Sequence, residues 1–217
     1  MFQITIDTLF SKHIYILFVK IIPLILTFFI TSCTVMTEKP TNNMVLDSLK
    51  SISLDYKNLD LLIAVNISSQ ELFLLYKGNI EQVYSISTST YGTGSEENSF
   101  RTPLGKHKIS EKIGQGLPKG AILKARKWTG AIANIIKTPI DTDFDVVTSR
   151  ILWLEGLEQG KNLGPGVDSK SRYIYIHGTA EEGLIGKPAS DGCVRMYNND
   201  VISLFDKVSI NTEVWII

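Results

Sequence analysis

His177 ends a run that alternates aromatic and aliphatic residues, Tyr173, Ile174, Tyr175 and Ile176. Sixteen positions later Cys193 stands inside Ser190-Asp191-Gly192-Cys193-Val194-Arg195-Met196. A thiol beside an imidazole can carry out nucleophilic acyl transfer. Only the thiolate attacks, and an unassisted cysteine is a few per cent ionised at neutral pH, so a base is needed. The same imidazole can later return the proton to a departing amine. Gly192 lets the backbone turn before the thiol, so that the N–H groups of Gly192 and Cys193 can face a developing oxyanion. In comparable sites each such donor is worth about 2.7–4 kcal/mol. Taken singly, a cysteine is more often an inert small hydrophobe and a strand-end histidine a satisfied surface group. The joint pattern is what points to chemistry. A zinc site built from His107, His177 and Cys193 matches no zinc-ligand spacing, and His107, flanked by Lys106 and Lys108, reads as a surface position. No metal or cofactor is expected, because a thiolate, a base and an oxyanion hole suffice.

In a strand over 172–177, the two-residue period puts Ile174 and Ile176 on one face and Tyr173, Tyr175 and His177 on the other. The aliphatic face is expected in the core and the second face in a cleft, with Tyr173 and Tyr175 equally readable as residues that merely cover the sheet. Arg195 has a planar fork suited to a substrate carboxylate or to bracing the loop, and the substrate role is preferred. The hydroxyls of Ser190 and Thr179 can fix the loop or the imidazole, and equally serve as turn residues.

His177-Gly178-Thr179 followed by Ser190-Asp191-Gly192-Cys193-Val194-Arg195-Met196 resembles the motif of the L,D-transpeptidase catalytic domain (YkuD) family. Arg101-Thr102-Pro103-Leu104-Gly105 is similar to that family's Thr-Pro-x-Gly. Asp191 stands where the family often has a basic residue or histidine, a departure that bears on acceptor preference. The resemblance covers 59–217 and implies a mainly β fold, a sandwich or barrel with a few short helices. It implies Cys193 as nucleophile and His177 as proton donor and acceptor, the ring oriented by a main-chain carbonyl near Gly178. Gly178, Thr179, Tyr175, Ser190 and Arg195 would bind or orient the substrate. The implied reaction is peptidoglycan L,D-transpeptidation. Cys193 attacks the carbonyl between the diaminopimelate L-centre and terminal D-alanine of a stem peptide. An amine on a second stem, a protein or a free D-amino acid then resolves the thioester. Three rivals remain: hydrolysis by water, trimming stems or releasing a wall-attached lipoprotein; a sortase-like protein transpeptidase; and a non-catalytic peptidoglycan-binding lipoprotein. Papain-like and NlpC/P60-type proteases place cysteine before histidine, the opposite order.

The elements that must position these residues read as short strands over 60–67, 71–76, 81–87, 105–113, 121–126, 146–154, 172–177 and 214–217. Few helix-period stretches separate them, so a mainly antiparallel sheet is expected rather than βαβ units. One helix is well signalled, with Val201, Ile202, Leu204, Phe205 and Val208 on one face and Asn198 or Asn199 as cap. Its apolar side is expected to pack on the sheet behind Cys193. Residues 44–56 are weakly helical in spacing.

The front of the chain bears on where the chemistry would happen. Lys12, His13 and Lys20 precede an apolar run over 21–30, too short for a spanning helix of about 20 residues and suited to a signal-peptide core. Joining 14–19 to that run would make an uncleaved anchor, but would put Lys20 in the hydrocarbon at about 2.5–3.5 kcal/mol. Ile30-Thr31-Ser32-Cys33 resembles a bacterial lipobox; the other reading is an ordinary signal peptide cut nearby, with Cys33 left free or paired with Cys193, which lipidation would forbid. The expectation is a signal peptide over 1–32, a lipidated Cys33, a tether with a short helix to residue 58, and a catalytic domain over 59–217. Thr34 after the cysteine implies outer-membrane sorting in a cell with two membranes, facing the periplasm. With Cys33 lipidated, Cys193 is the sole thiol of an exported chain, an odd cysteine of the kind that marks reactivity. Removing Lys12, Lys20 and Asp7 with the leader leaves 20 basic against 21 acidic residues. Such a chain has no electrostatic footprint for nucleic acid; the expected partners are stem peptides and, through the anchor, a membrane.

Overall fold

The computed structural model describes residues 40–142 and 146–217. The expected signal peptide, the lipobox cysteine Cys33 and the first part of the tether lie outside the described residues. In chain order the elements are helix α1 (Pro40–Ile52), a 3-10 turn (Leu54–Asn58), then β1 (Leu61–Asn66), β2 (Glu71–Tyr76), β3 (Asn79–Ser87), β4 (Gly105–Ile113), β5 (Ala121–Lys124), β6 (Lys127–Ile132), β7 (Val147–Gly156) and β8 (Tyr175–Thr179). A second 3-10 turn (Glu182–Leu184) precedes β9 (Val194–Met196), helix α2 (Asn198–Lys207) and β10 (Glu213–Ile216).

The strands form one sheet in the order β4-β10-β1-β2-β3-β9-β8-β7-β5-β6, and β4 also pairs with β7. That extra pairing closes all but β5 and β6 into a ring. The expectation of a sandwich or barrel therefore resolves to a single sheet curled on itself, which leaves few open edges. Most pairs are antiparallel as expected; β1–β10 and β8–β9 are parallel. Inside lies one apolar cluster that includes Ile63, Val65, Leu72, Ile109, Leu154, Ile176, Val194 and Met196 with Val201, Leu204 and Phe205 of α2. The helix thus packs behind the cysteine segment. A second cluster lies on the other face of β1 and β2, where Val45 and Leu49 of α1 and Tyr56 meet Leu62, Ala64, Phe73, Leu75 and Trp215. Two covered faces explain why β1 and β2 read as nearly unbroken apolar runs rather than alternating ones.

Three elements differ from the sequence reading. The strand expected over 121–126 is two, β5 and β6, joined by a tight turn at Ala125 and Arg126, both with positive φ. The strand expected over 172–177 begins at Tyr175, because Tyr173 turns the chain with φ 59°. Neither candidate asparagine caps α2: the residue before the helix, Tyr197, makes no side-chain cap. Instead the Glu182 carboxylate accepts the Asn198 backbone N–H at 2.9 Å, a negative charge at the positive end of the helix.

His107, expected at the surface, is fully buried. It shares a face with Ile109, and the flanking lysines point the other way. Nδ1–H donates to Gly105 O at 3.0 Å, so Nε2 accepts from the Ser169 hydroxyl at 2.9 Å. With both ring nitrogens engaged it cannot join His177 and Cys193 around a metal. Among the described residues no three His, Cys, Asp or Glu converge. Burial lowers the His107 pKa from 6.5 to about 4. An unfolded chain takes up this proton below about 6.5, whereas the folded chain resists until about 4. The stability is therefore full above 6.5 and is lost as pH falls toward 4, by on the order of 3 kcal/mol. Urea midpoints measured from pH 7 to pH 4 should fall less steeply in His107→Gln; identical slopes would refute the assignment.

Candidate active site

β8 and β9 run side by side with Ile176 opposite Val194 and His177 opposite Arg195. One step back along both strands, Cys193 stands beside Tyr175. Ile174, Ile176, Val194 and Met196 fill the barrel interior, as the alternation predicts for β8. Tyr175, His177, Cys193 and Arg195 therefore share the outer face. Adjacent strands are about 4.8 Å apart, so residues sixteen positions apart in sequence become immediate neighbours.

The thiol is half-buried. It accepts the Tyr175 N–H at 3.4 Å and donates to Tyr173 O at 3.4 Å. His177 is 2% exposed, and its Nδ1 lies 2.8 Å from Gly178 O. A carbonyl only accepts, so the proton is on Nδ1 and Nε2 keeps the lone pair a base requires. Gly178 itself admits no side chain: a Cβ there would come within 2.7 Å of Asn198 Oδ1 and 2.8 Å of Thr148 O.

The turn that presents Cys193 is built from small polar residues. Gly192 has φ 115°, a region side chains rarely adopt. The Ser190 hydroxyl donates to Cys193 O at 2.6 Å and accepts the Gly192 N–H at 3.3 Å. Ser190 thus fixes the loop, not the imidazole. Its bond also engages one of the two N–H groups assigned to the oxyanion hole, leaving the Gly192 N–H directed into the loop. From the opposite side, Thr102 accepts the Ser89 N–H at 3.1 Å and donates to Gly192 O at 3.0 Å. Thr179 likewise braces the chain, accepting the Glu181 N–H at 3.0 Å.

Arg195 does not reach a substrate. It is 0% exposed and its Nη1 meets Glu181 Oε2 at 2.9 Å, with the Glu181 side chain 1% exposed. Glu181 Oε1 in turn accepts the Thr142 N–H and hydroxyl at 2.7 and 2.6 Å. Ile136 N–H to Ala180 O and Gly183 N–H to Ile136 O add two backbone ties. The guanidinium therefore braces the site, holding the 136–142 segment against the end of β8.

Tyr175 packs edge-on against Trp153 and His177, with ring centroids 5.7 and 6.5 Å away. Burial pushes its phenol above the usual pKa, so it stays protonated at neutral pH. Two cavities meet at Tyr173. One of about 290 Å³ is lined by Phe100, Arg172, Tyr173 and Asp191, the other of about 360 Å³ by Trp153, Glu155, Lys170 and Tyr173. Tyr173, whose carbonyl receives the thiol, lines both. As site residues, Thr102, Glu181 and Asn198 escaped the sequence reading, which named Asn198 only as a helix cap. Only Thr102 carried a signal, lying in the Thr-Pro-Leu-Gly stretch.

The family model for the L,D-transpeptidase catalytic domain (YkuD) matches residues 60–216. A Bacillus subtilis (strain 168) protein, YqjB, provisionally named as an L,D-transpeptidase, is 27% identical over 161 residues, covering 71% of this chain and 69% of that protein. Among solved structures, L,D-transpeptidase 3 from Mycobacterium tuberculosis with a faropenem-derived adduct is 15% identical, with a TM-score of 0.46 over 72% of this chain and 60% of that one. An L,D-transpeptidase from Mycobacterium smegmatis is 14% identical, with a TM-score of 0.43 over 73% of this chain and 58% of that one. This chain thus spans about three-fifths of the length of those solved chains. With the family model spanning β1 to β10 and both motif segments, the chain belongs to the L,D-transpeptidase catalytic domain family.

Proposed function

We propose that this chain is a peptidoglycan L,D-transpeptidase with Cys193 as nucleophile and His177 as its base. The observation that carries the reading is the pairing of β8 with β9, which sets the thiol and the imidazole on one face, with Nδ1–H fixed on Gly178 O. Nε2 takes the thiol proton, and the thiolate adds to the carbonyl at the diaminopimelate L-centre. The Cys193 N–H receives the oxyanion. The C–N bond then breaks, and the D-alanine amine leaves with the proton from His177. An acceptor amine gives a proton to Nε2 and attacks the thioester, and the thiolate departs and is reprotonated. The two cavities that share Tyr173, whose carbonyl accepts from the thiol, are the candidate seats for the two peptides. Incubating the full chain with a disaccharide tetrapeptide and reading the products by mass tests the proposal. A crosslinked dimer supports it, a tripeptide identifies a hydrolase of the same site, and unchanged substrate identifies a binding protein.

The place of work follows from residues outside the described region. Ile30-Thr31-Ser32-Cys33 supports lipidation at Cys33, anchorage in the cell envelope facing the periplasm, and outer-membrane sorting where two membranes exist. Several acyl chains hold firmly where one holds marginally. Cys33→Ser should release the protein from the membrane fraction. Membrane retention with no diacylglyceryl mass on wild-type Cys33 would end this part of the proposal.

A further inference from the structure

The hairpin β5–β6 places a cation over the cleft in an arrangement the proposed reaction does not account for. Lys124 pairs with Lys127, so Ala125 and Arg126 are the whole turn, with φ 47° and 65°. Two-residue turns of this kind ordinarily use Asn-Gly, because both central residues need the left-handed region. A non-glycine pair held there is an outlier that invites a functional explanation. The guanidinium is what the turn delivers. Its central carbon lies 4.6 Å from the Trp153 ring centroid and 5.1 Å from that of Tyr173. Nη1–H donates to the Tyr175 hydroxyl at 3.3 Å. Tyr173 and Tyr175 both contact the Cys193 thiol through their main chain, so the cation stands on residues that wall the proposed reaction centre.

An arginine has five N–H donors, and ring contacts satisfy none of them. Among the described residues Arg126 makes no ion pair. Glu111 pairs instead with Lys170 at 3.4 Å. Lys124 and Lys127 flank the tip, so an otherwise near-neutral chain carries a local basic cluster at this point. Aromatic contacts that fix a guanidinium plane leave its fork pre-organised for a planar, two-oxygen anion.

We propose that Arg126 is the anion anchor of the cleft, binding a carboxylate of the donor peptide. This rests on the peptidoglycan reading above. The carboxylate nearest the attacked carbonyl, other than that of the leaving D-alanine, is the one at the far end of the diaminopimelate side chain. Arg126 selects donors that keep it ionised over donors in which it is amidated.

The test uses the full chain carrying Cys193→Ala, so that nothing reacts, and calorimetric titration with a tetrapeptide bearing that carboxyl free or as its amide. The free acid should bind about tenfold tighter, as a charge-assisted pair allows. Arg126→Gln should bring the two affinities within about twofold, and Arg126→Lys should keep part of the preference. Should Arg126→Gln fail to fold, Ala125→Asn with Arg126→Gly restores an ideal turn without the guanidinium and should equally erase the preference. A preference that survives loss of Arg126, an absent preference in the parent, or binding of neither peptide would each overturn the proposal. An Arg126-dependent preference in a protein whose wild type turns over no peptide would leave the anchor standing and remove the transpeptidase reading alone.

Discussion

Cys193→Ala should abolish turnover of a stem tetrapeptide and all thiol labelling, while leaving the fold intact, because the side chain packs at the edge of a small cluster and not in the barrel interior. His177→Ala should also lose turnover, yet its thiol should still react, slowly at neutral pH and fast as pH approaches about 8.5, the value of an unassisted cysteine. Without Nε2 the thiol loses its base, but hydroxide can still take its proton. A strained β-lactam amide of the carbapenem class gives the same contrast by intact mass. It should form one adduct on wild type, form it slowly in His177→Ala, and form none in Cys193→Ala. Turnover that survives Cys193→Ala would eliminate the mechanism altogether.

The second large effect is on stability. Glu181→Ala should cost about 3–5 kcal/mol, the loss expected when one partner of a fully buried ion pair is removed and the other charge stays. Against a typical total of about 5–15 kcal/mol this approaches unfolding. Glu181→Gln can keep the hydrogen bonds to Thr142 but removes the charge of the buried pair with Arg195, so it should also be damaging. Replacing both partners by methionine removes the desolvated charges together and should recover much of the loss. Urea unfolding of the four proteins decides this. A Glu181→Ala variant within about 1 kcal/mol of wild type would mean that water or another group already compensates Arg195.

The candidate pair could be picked out because nucleophilic chemistry restricts both residue type and order, and its placement on one face because the run from Ile174 through β8 obeys the two-residue period. Arg195 was misread for a physical reason. Residue type reveals that a guanidinium fork seeks an anion, but not whether that anion is a substrate or Glu181, fourteen positions earlier. His107 was misread although the signal was present. Its parity with Ile109 places it indoors, and the flanking lysines distracted from that alternation. The β5–β6 turn could not be found at all, since Ala125 and Arg126 carry none of the glycine, asparagine or proline chemistry by which such turns announce themselves. The closure of the sheet was equally hidden. It depends on β4 meeting both β7 and β10, long-range pairings that no local pattern encodes.

The strand that follows Cys193 is only three residues long, and its side chains alternate between the interior and the outer face. A slip of one residue against its neighbours would drive the Arg195 guanidinium into the aliphatic interior and pull Val194 and Met196 out of it. An unpaired charge in such surroundings carries one of the heaviest penalties a protein can incur, so misregistered molecules should be all but unpopulated. Alignment of Cys193 with His177 is therefore close to all-or-none. A titration of the fast-reacting Cys193 thiol at neutral pH should count correctly folded molecules, without a population of folded but inactive ones.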